Sequence, residues 1–181
     1  MEIKEILIMV CNMLDIDETV ANENSSDTKT LGLLLRAFNN VISEISEEYL
    51  PFMHAEKVTS INGIISFSAL EKRVQKVESI ENEKGEKIKF SVGLNSLSIK
   101  EKDGEYLIKY SFIPDDAKFG DSVDVPAQIT KRALSYGVAG EYALMTERYD
   151  ESVNYDAKFN TAMRIASRDK KERRLPYRGY L

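Results

Sequence analysis

Leu33-Leu34-Leu35-Arg36-Ala37-Phe38-Asn39-Asn40-Val41-Ile42-Ser43-Glu44-Ile45-Ser46-Glu47-Glu48-Tyr49-Leu50-Pro51 is the stretch in which the chain changes its period. Leu34, Phe38, Val41, Ile42, Ile45 and Tyr49 recur at helical spacing and predict one apolar stripe. Asp27 or Thr28 can cap the start of this helix. Pro51 stops it, because its ring locks φ, it lacks an amide donor, and it disfavours helical backbone at Leu50.

From about Ala55 to Pro114 the period is two. Val58 to Ile61 leads into Asn62-Gly63, followed by Ile64-Ile65-Ser66-Phe67, and Asn-Gly between such runs signals a hairpin. Val74, Val77 and Ile80 read as a strand, although a spacing of three also fits a helical turn. Lys84-Gly85 turns into the alternating run Lys87 to Val92. Leu97 to Lys100 reaches a second turn signal at Asp103-Gly104, and Tyr106 to Phe112 follows, rich in aromatic and β-branched residues. The expectation is an antiparallel meander of about five or six strands.

Outward from this middle, the ends read as helices. Ile3, Ile6, Leu7, Val10 and Leu14 share a face of a first helix from about Glu2 to Leu14. Asp15 to Thr28 is polar and reads as a loop. A third helix is expected from Pro126 to about Tyr149, with Asp124 just before it. Ala133, Gly137 and Gly140 give that helix a small-residue surface. Glycine inside a helix costs about 1 kcal/mol relative to alanine, so the pair predicts close approach of another backbone. A fourth helix runs from about Glu151 to Arg168, lined by Tyr155, Phe159, Ala162, Met163 and Ala166. The fold class is therefore α+β. A four-helix core (residues 1–52 and 125–168) carries an inserted antiparallel β meander (53–124) between the second and third long helices, and 169–181 forms an extended C-terminal arm.

The 43% hydrophobic and 30% charged fractions place the chain among ordinary globular proteins. One cysteine, Cys11, excludes an internal disulfide and fits a reducing compartment. The longest apolar run, Ile6 to Val10, is too short to span a bilayer, and no basic n-region or cleavage site precedes it. A soluble, intracellular protein with no membrane partner is expected. The net charge is −5, yet Arg168 to Leu181 holds six cations against two anions, so the body is more acidic than the total. A basic arm on an acidic body suits docking on an acidic partner. Pro176 and Gly179 bar a helix there, while Leu175, Tyr177, Tyr180 and Leu181 supply apolar anchors.

No catalytic constellation emerges. His54 is the one histidine, and we read it as structural. An enzyme would instead show a concave pocket converging on His54 with a carboxylate partner. Cys11, amid Met9, Val10 and Met13, reads as a buried thiol. Asp15-Ile16-Asp17-Glu18 begins like a calcium loop but lacks the central glycine and the terminal glutamate. Phosphate-binding glycine loops are absent. No catalytic residue, metal or cofactor is expected. The arm could contact nucleic acid through Arg, Lys and Tyr, but a protein partner fits its short, acid-interrupted sequence better.

The order of elements resembles the head–tail connector (adaptor, or head-completion) proteins of tailed bacteriophages. Leu33 to Pro51 looks like the family's second helix, and Tyr110-Ser111-Phe112-Ile113-Pro114 like the strand that closes its β insertion. Ala133-Leu134-Ser135-Tyr136-Gly137-Val138-Ala139-Gly140-Glu141-Tyr142-Ala143-Leu144 looks like the third helix and Tyr155-Asp156-Ala157-Lys158-Phe159 like the start of the fourth. Leu175-Pro176-Tyr177-Arg178-Gly179-Tyr180 looks like the C-terminal arm. The resemblance implies a non-enzymatic subunit of a phage or prophage virion neck, assembled in the bacterial cytoplasm. Such subunits form a homo-oligomeric, dodecameric ring beneath the portal protein, monomeric or not when free, with tail or neck proteins below. DNA passes through the channel without specific binding. It also implies that Arg173, Arg174, Leu175, Pro176, Tyr177, Arg178, Tyr180 and Leu181 hold the portal or another partner. Two other readings stay open: a neck or tail-completion protein that contacts the tail tube, and a nucleic-acid-binding regulator that uses the basic tail.

Overall fold

The computed structural model describes residues 1–22, 25–100 and 103–168. Four helices, α1 (Ile3–Met13), α2 (Thr28–Glu44), α3 (Lys131–Met145) and α4 (Tyr149–Ala166), flank seven strands. These are β1 (Phe52–Ser60), β2 (Ile64–Ser66), β3 (Val74–Glu81), β4 (Lys87–Ile88), β5 (Phe90–Val92), β6 (Ser96–Ile99) and β7 (Gly104–Phe112). The chain is thus mixed, with four helices and antiparallel sheets.

The helices form where the apolar period requires. Ile3, Ile6, Leu7 and Val10 of α1 are wholly buried. The polar stretch after α1 is not purely a loop. A short 3₁₀ turn, Glu18–Val20, is capped by Asp17 and buries Val20. Asp27 caps α2, its Oδ1 accepting from Thr30 N at 3.0 Å. The α2 stripe buries Leu34, Ala37, Phe38 and Val41, then runs on through a π-helical turn, Ile45–Tyr49. Leu50 donates back to Ile45 O at 2.9 Å and is extended (φ −142°, ψ 110°), the backbone that a following proline favours.

The β region departs from a meander. One sheet has the order β1-β7-β3-β4 and the other β2-β6-β5. The first and last strands pair along their whole length, from Phe52 opposite Phe112 to Ser60 opposite Gly104. Local turn signals specify hairpins, not this long-range closure. The Asn62-Gly63 turn forms as expected, with positive φ at both residues and an Ile61–Ile64 bridge. Asp103-Gly104 does not make a hairpin: β6 and β7 belong to different sheets, and Asp103 Oδ1 accepts from Asn62 N at 2.5 Å. The run Lys87 to Val92 breaks at Lys89, so that β4 pairs with β3 and β5 with β6. The two sheets enclose Val58, Ile65, Val77, Ile80, Leu97, Tyr106, Ile108 and Tyr110 in a core of their own.

A second, larger core draws on all four helices, including Leu7, Phe38, Leu134, Val138, Phe159 and Met163. The expected third helix is corrected at both ends. Pro126 makes a turn with Ile129, and α3 starts at Lys131, where Thr130 Oγ1 accepts from Ala133 N at 3.1 Å. It stops at Met145. Glu147 has φ 61°, and the Arg148 guanidinium donates to Leu14 O at 3.1 Å, so the chain turns before α4 begins.

Candidate partner-binding surfaces

The arm residues Arg173, Arg174, Leu175, Pro176, Tyr177, Arg178, Tyr180 and Leu181 lie outside the described residues. The small residues of α3 lie within them. A Cβ on Gly137 would stand 2.8 Å from Val41 Cγ1 of α2 and 2.9 Å from the Phe159 ring of α4. On Gly140 it would meet the α4 backbone, at 3.3 Å from Asp156 N and 3.6 Å from Ser152 O. Ala133 is 6% exposed and belongs to the same helical core. Gly137 thus makes room for side chains of α2 and α4, and Gly140 for the α4 backbone.

Cys11 is fully buried, and burial, followed by the nearby Asp17 charge, pushes its thiol upward. It sits in the helical core, whereas His54 lies on β1. His54 lines an open cleft of about 1090 Å³ where the chain passes between helices and sheets. Its Nε2 faces Glu71 Oε2 at 3.4 Å, and its ring stands edge-on to Tyr110 and Phe112. A histidine with a carboxylate beside a cleft is therefore present. That Nε2, however, is buried and makes no hydrogen bond, and no hydroxyl or thiol is hydrogen-bonded to the ring among the described residues. Tyr110 donates to Glu56 Oε1 at 2.5 Å and accepts from Lys72 N at 3.2 Å. Burial, then the bond to Glu56, pushes its hydroxyl up to about 12. This is a tyrosine fixed as a neutral donor. Among the described residues no three His, Cys, Asp or Glu side chains gather to hold a metal, and no helix is long and apolar enough to cross a membrane.

Two charged clusters flank α4, and sequence reading found neither. On one side, Tyr136 and Tyr155 stack with centroids 6.3 Å apart. Lys158 Nζ lies 4.8 Å from the Tyr155 centroid, and Arg132 donates to Tyr136 Oη at 2.6 Å while lying over its ring. Tyr155 Oη is anchored by donating to Met13 O at 2.6 Å. On the other side, Glu44 sits near Glu48, Asp156 and Glu141. Burial first, and these like charges after it, push the Glu44 carboxyl above its ordinary range. Asn40 donates to Glu141 Oε1 at 2.8 Å, and Tyr49 donates to Asn160 Oδ1 at 2.6 Å beside this group. The spacings Arg132–Tyr136 and Tyr155–Lys158, each about one helical turn, were visible in the sequence. Their meeting across two helices depends on the close approach at Gly140 and was not.

No protein-family model matches the chain, and no curated protein matches it at a significant level.

Proposed function

We propose that the chain is a structural subunit of a phage or prophage head–tail connector, a ring under the portal that extends the DNA channel and gives the tail its attachment surface. The order of the elements carries this reading. Two helices lead into a β unit that closes on itself at Phe52 and Phe112, and two more helices return to share the first pair's core. In this reading residues 1–52 and 125–168 make a four-helix platform, 53–124 an inserted stretch whose end, Ala117 to Val123, packs back on that platform, and 169–181 an arm that grips the portal. The acidic body suits a channel wall that DNA slides past without sticking. An Arg- and Tyr-rich arm suits capture of a preformed ring, with its ordering entropy offset on docking.

The test is native mass of the full chain, and of a chain cut after Arg168, each with the cognate portal. A stoichiometric ring complex with the full chain alone supports the reading, and the absence of any complex ends it. Tyr177→Ala with Tyr180→Ala leaves folding intact and abolishes docking. An unfolded double variant would mean that these aromatics belong to the chain's own core.

A further inference from the structure

α4 carries opposite charge on its two flanks. Asp156 and Lys158 are two residues apart and therefore lie about 200° apart around the helix. The core-facing side chains Ser152, Phe159 and Met163 lie between them. Arg132 and Lys158 form no ion pair among the described residues; they are held over tyrosine rings instead. Glu44, Glu48, Glu141 and Asp156 form no ion pair among those residues either, and the cation that bears on this side is Arg164, near Tyr49. Each flank also exposes apolar surface at helical spacing. Ile165, 64% exposed, is seven residues beyond Lys158; Tyr149 and Val153, 60% and 71% exposed, are seven and three residues before Asp156. Apolar contact supplies the core of an interface, and complementary charge around it fixes register and partner.

We propose that the tyrosine–cation flank of one copy (Arg132, Tyr136, Tyr155, Lys158) docks on the carboxylate flank of the next (Glu44, Glu48, Glu141, Asp156), so that identical chains associate head to tail through the helical layer. The occupant is a second copy because the two complementary surfaces lie on opposite flanks of the same chain. Such a contact is heterologous and propagates to a closed ring or an open filament. The tyrosines are fixed before docking, by their mutual stacking and by the Met13 carbonyl, so little side-chain freedom is lost on binding. On the other flank the crowding of Glu44 with Glu48, Asp156 and Glu141, which adds to the effect of its burial, is offset by cations from the neighbour. The pairing names the self-contact of the proposed connector ring and rests on that reading only for where the ring sits.

The experiment is sedimentation of the full chain at low ionic strength, with charge-swapped flanks. Wild type self-associates, and added salt weakens the association. Arg132→Glu with Lys158→Glu, and separately Glu48→Lys with Asp156→Lys, each weaken it by roughly tenfold or more. An equimolar mixture of the two regains it, because each altered flank then meets its complement on the other variant. Circular dichroism checks that each variant is folded. If a swap unfolds the chain, Arg132→Gln with Lys158→Gln is read in its place and still weakens association. A mixture that associates no better than its components overturns the proposal, as does wild type that stays monomeric at about 1 mM in low salt, where even weak encounters show. Rings on the portal that ignore the swaps remove this pairing and leave the connector reading intact. Restored pairing in a chain that never binds portal does the reverse.

Discussion

Replacing Gly137 by alanine sets two known effects against each other at one atom. The added Cβ would lie 2.8 Å from Val41 Cγ1 and 2.9 Å from Phe159 Cδ2 and Cε2. Carbon atoms pack best at about 3.5–4.0 Å, so the shortfall is on the order of 0.7–1 Å on two sides. Val41 and Phe159 are 2% and 1% exposed, and neither is the loose end of a flexible chain. Overpacking of this kind costs about 1–3 kcal/mol, while alanine regains about 1 kcal/mol of helix propensity. The net is a loss of about 1 kcal/mol, which for a chain of this size lowers Tm by about 2–4 °C. Gly140 is the internal control. Its Cβ would meet backbone at 3.3 Å, a few tenths of an ångström too close. The same propensity gain then nearly cancels the strain, and Gly140→Ala should stay within about 0.5 kcal/mol of wild type. Urea unfolding, with the slope checked for constancy, measures both. Val41→Ala should also cost less in the Gly137→Ala background than alone, because it opens the space the new methyl needs. Gly137→Ala as stable as Gly140→Ala, or additivity with Val41→Ala, would refute the claim that packing at this crossing fixes the glycine.

Two further outcomes follow from single side chains. Tyr110→Phe removes the donor to Glu56 and the acceptor for Lys72 N, and should cost about 1–3 kcal/mol in urea unfolding. Because the folded hydroxyl is raised to about 12, its contribution in wild type is complete below about pH 10 and is lost as pH rises from there through 12. An alkaline stability curve unchanged in Tyr110→Phe would contradict this. Glu44→Gln should stabilise the isolated chain at pH 7 by about 0.5 kcal/mol, since it removes a charge that is half-buried and, beyond that, crowded by like charges. The carboxyl is raised in the folded state, so the advantage vanishes as pH falls through its folded pKa and wild type also becomes neutral. Equal gains at pH 7 and in acid would show that packing, not charge, is responsible.

The helices were legible because their signal is local. The α2 stripe from Leu34 to Ile42 and the cap at Asp27 need no knowledge of the rest of the chain. Pro126 misled because a proline suited to a first helical turn is equally suited to an isolated turn, and the cap that decides the start is Thr130. The strands were found but their partners were not. Asn62-Gly63 specifies its own hairpin, whereas pairing of Phe52 with Phe112 joins residues far apart in sequence. The glycines of α3 advertised a close contact, and their partners, Val41 and the α4 backbone, come from elements the spacing alone does not rank. The charged flanks escaped for the same reason: each is assembled from two or three helices.

The long-range β1–β7 pairing bears on how the molecule can behave as a part. Phe52 and Phe112 sit opposite one another with rings 6.1 Å apart, so the chain leaves the helical layer and returns to it at nearly one point. Phe52 belongs to the helical core, while Phe112 packs against both cores. The β unit, with its own buried Tyr110 and Ile80, therefore has a core separate from the Gly137 crossing. The charged flanks of α4 are built on the helical layer. A neighbour gripping those flanks would therefore leave the two sheets free to meet a different partner.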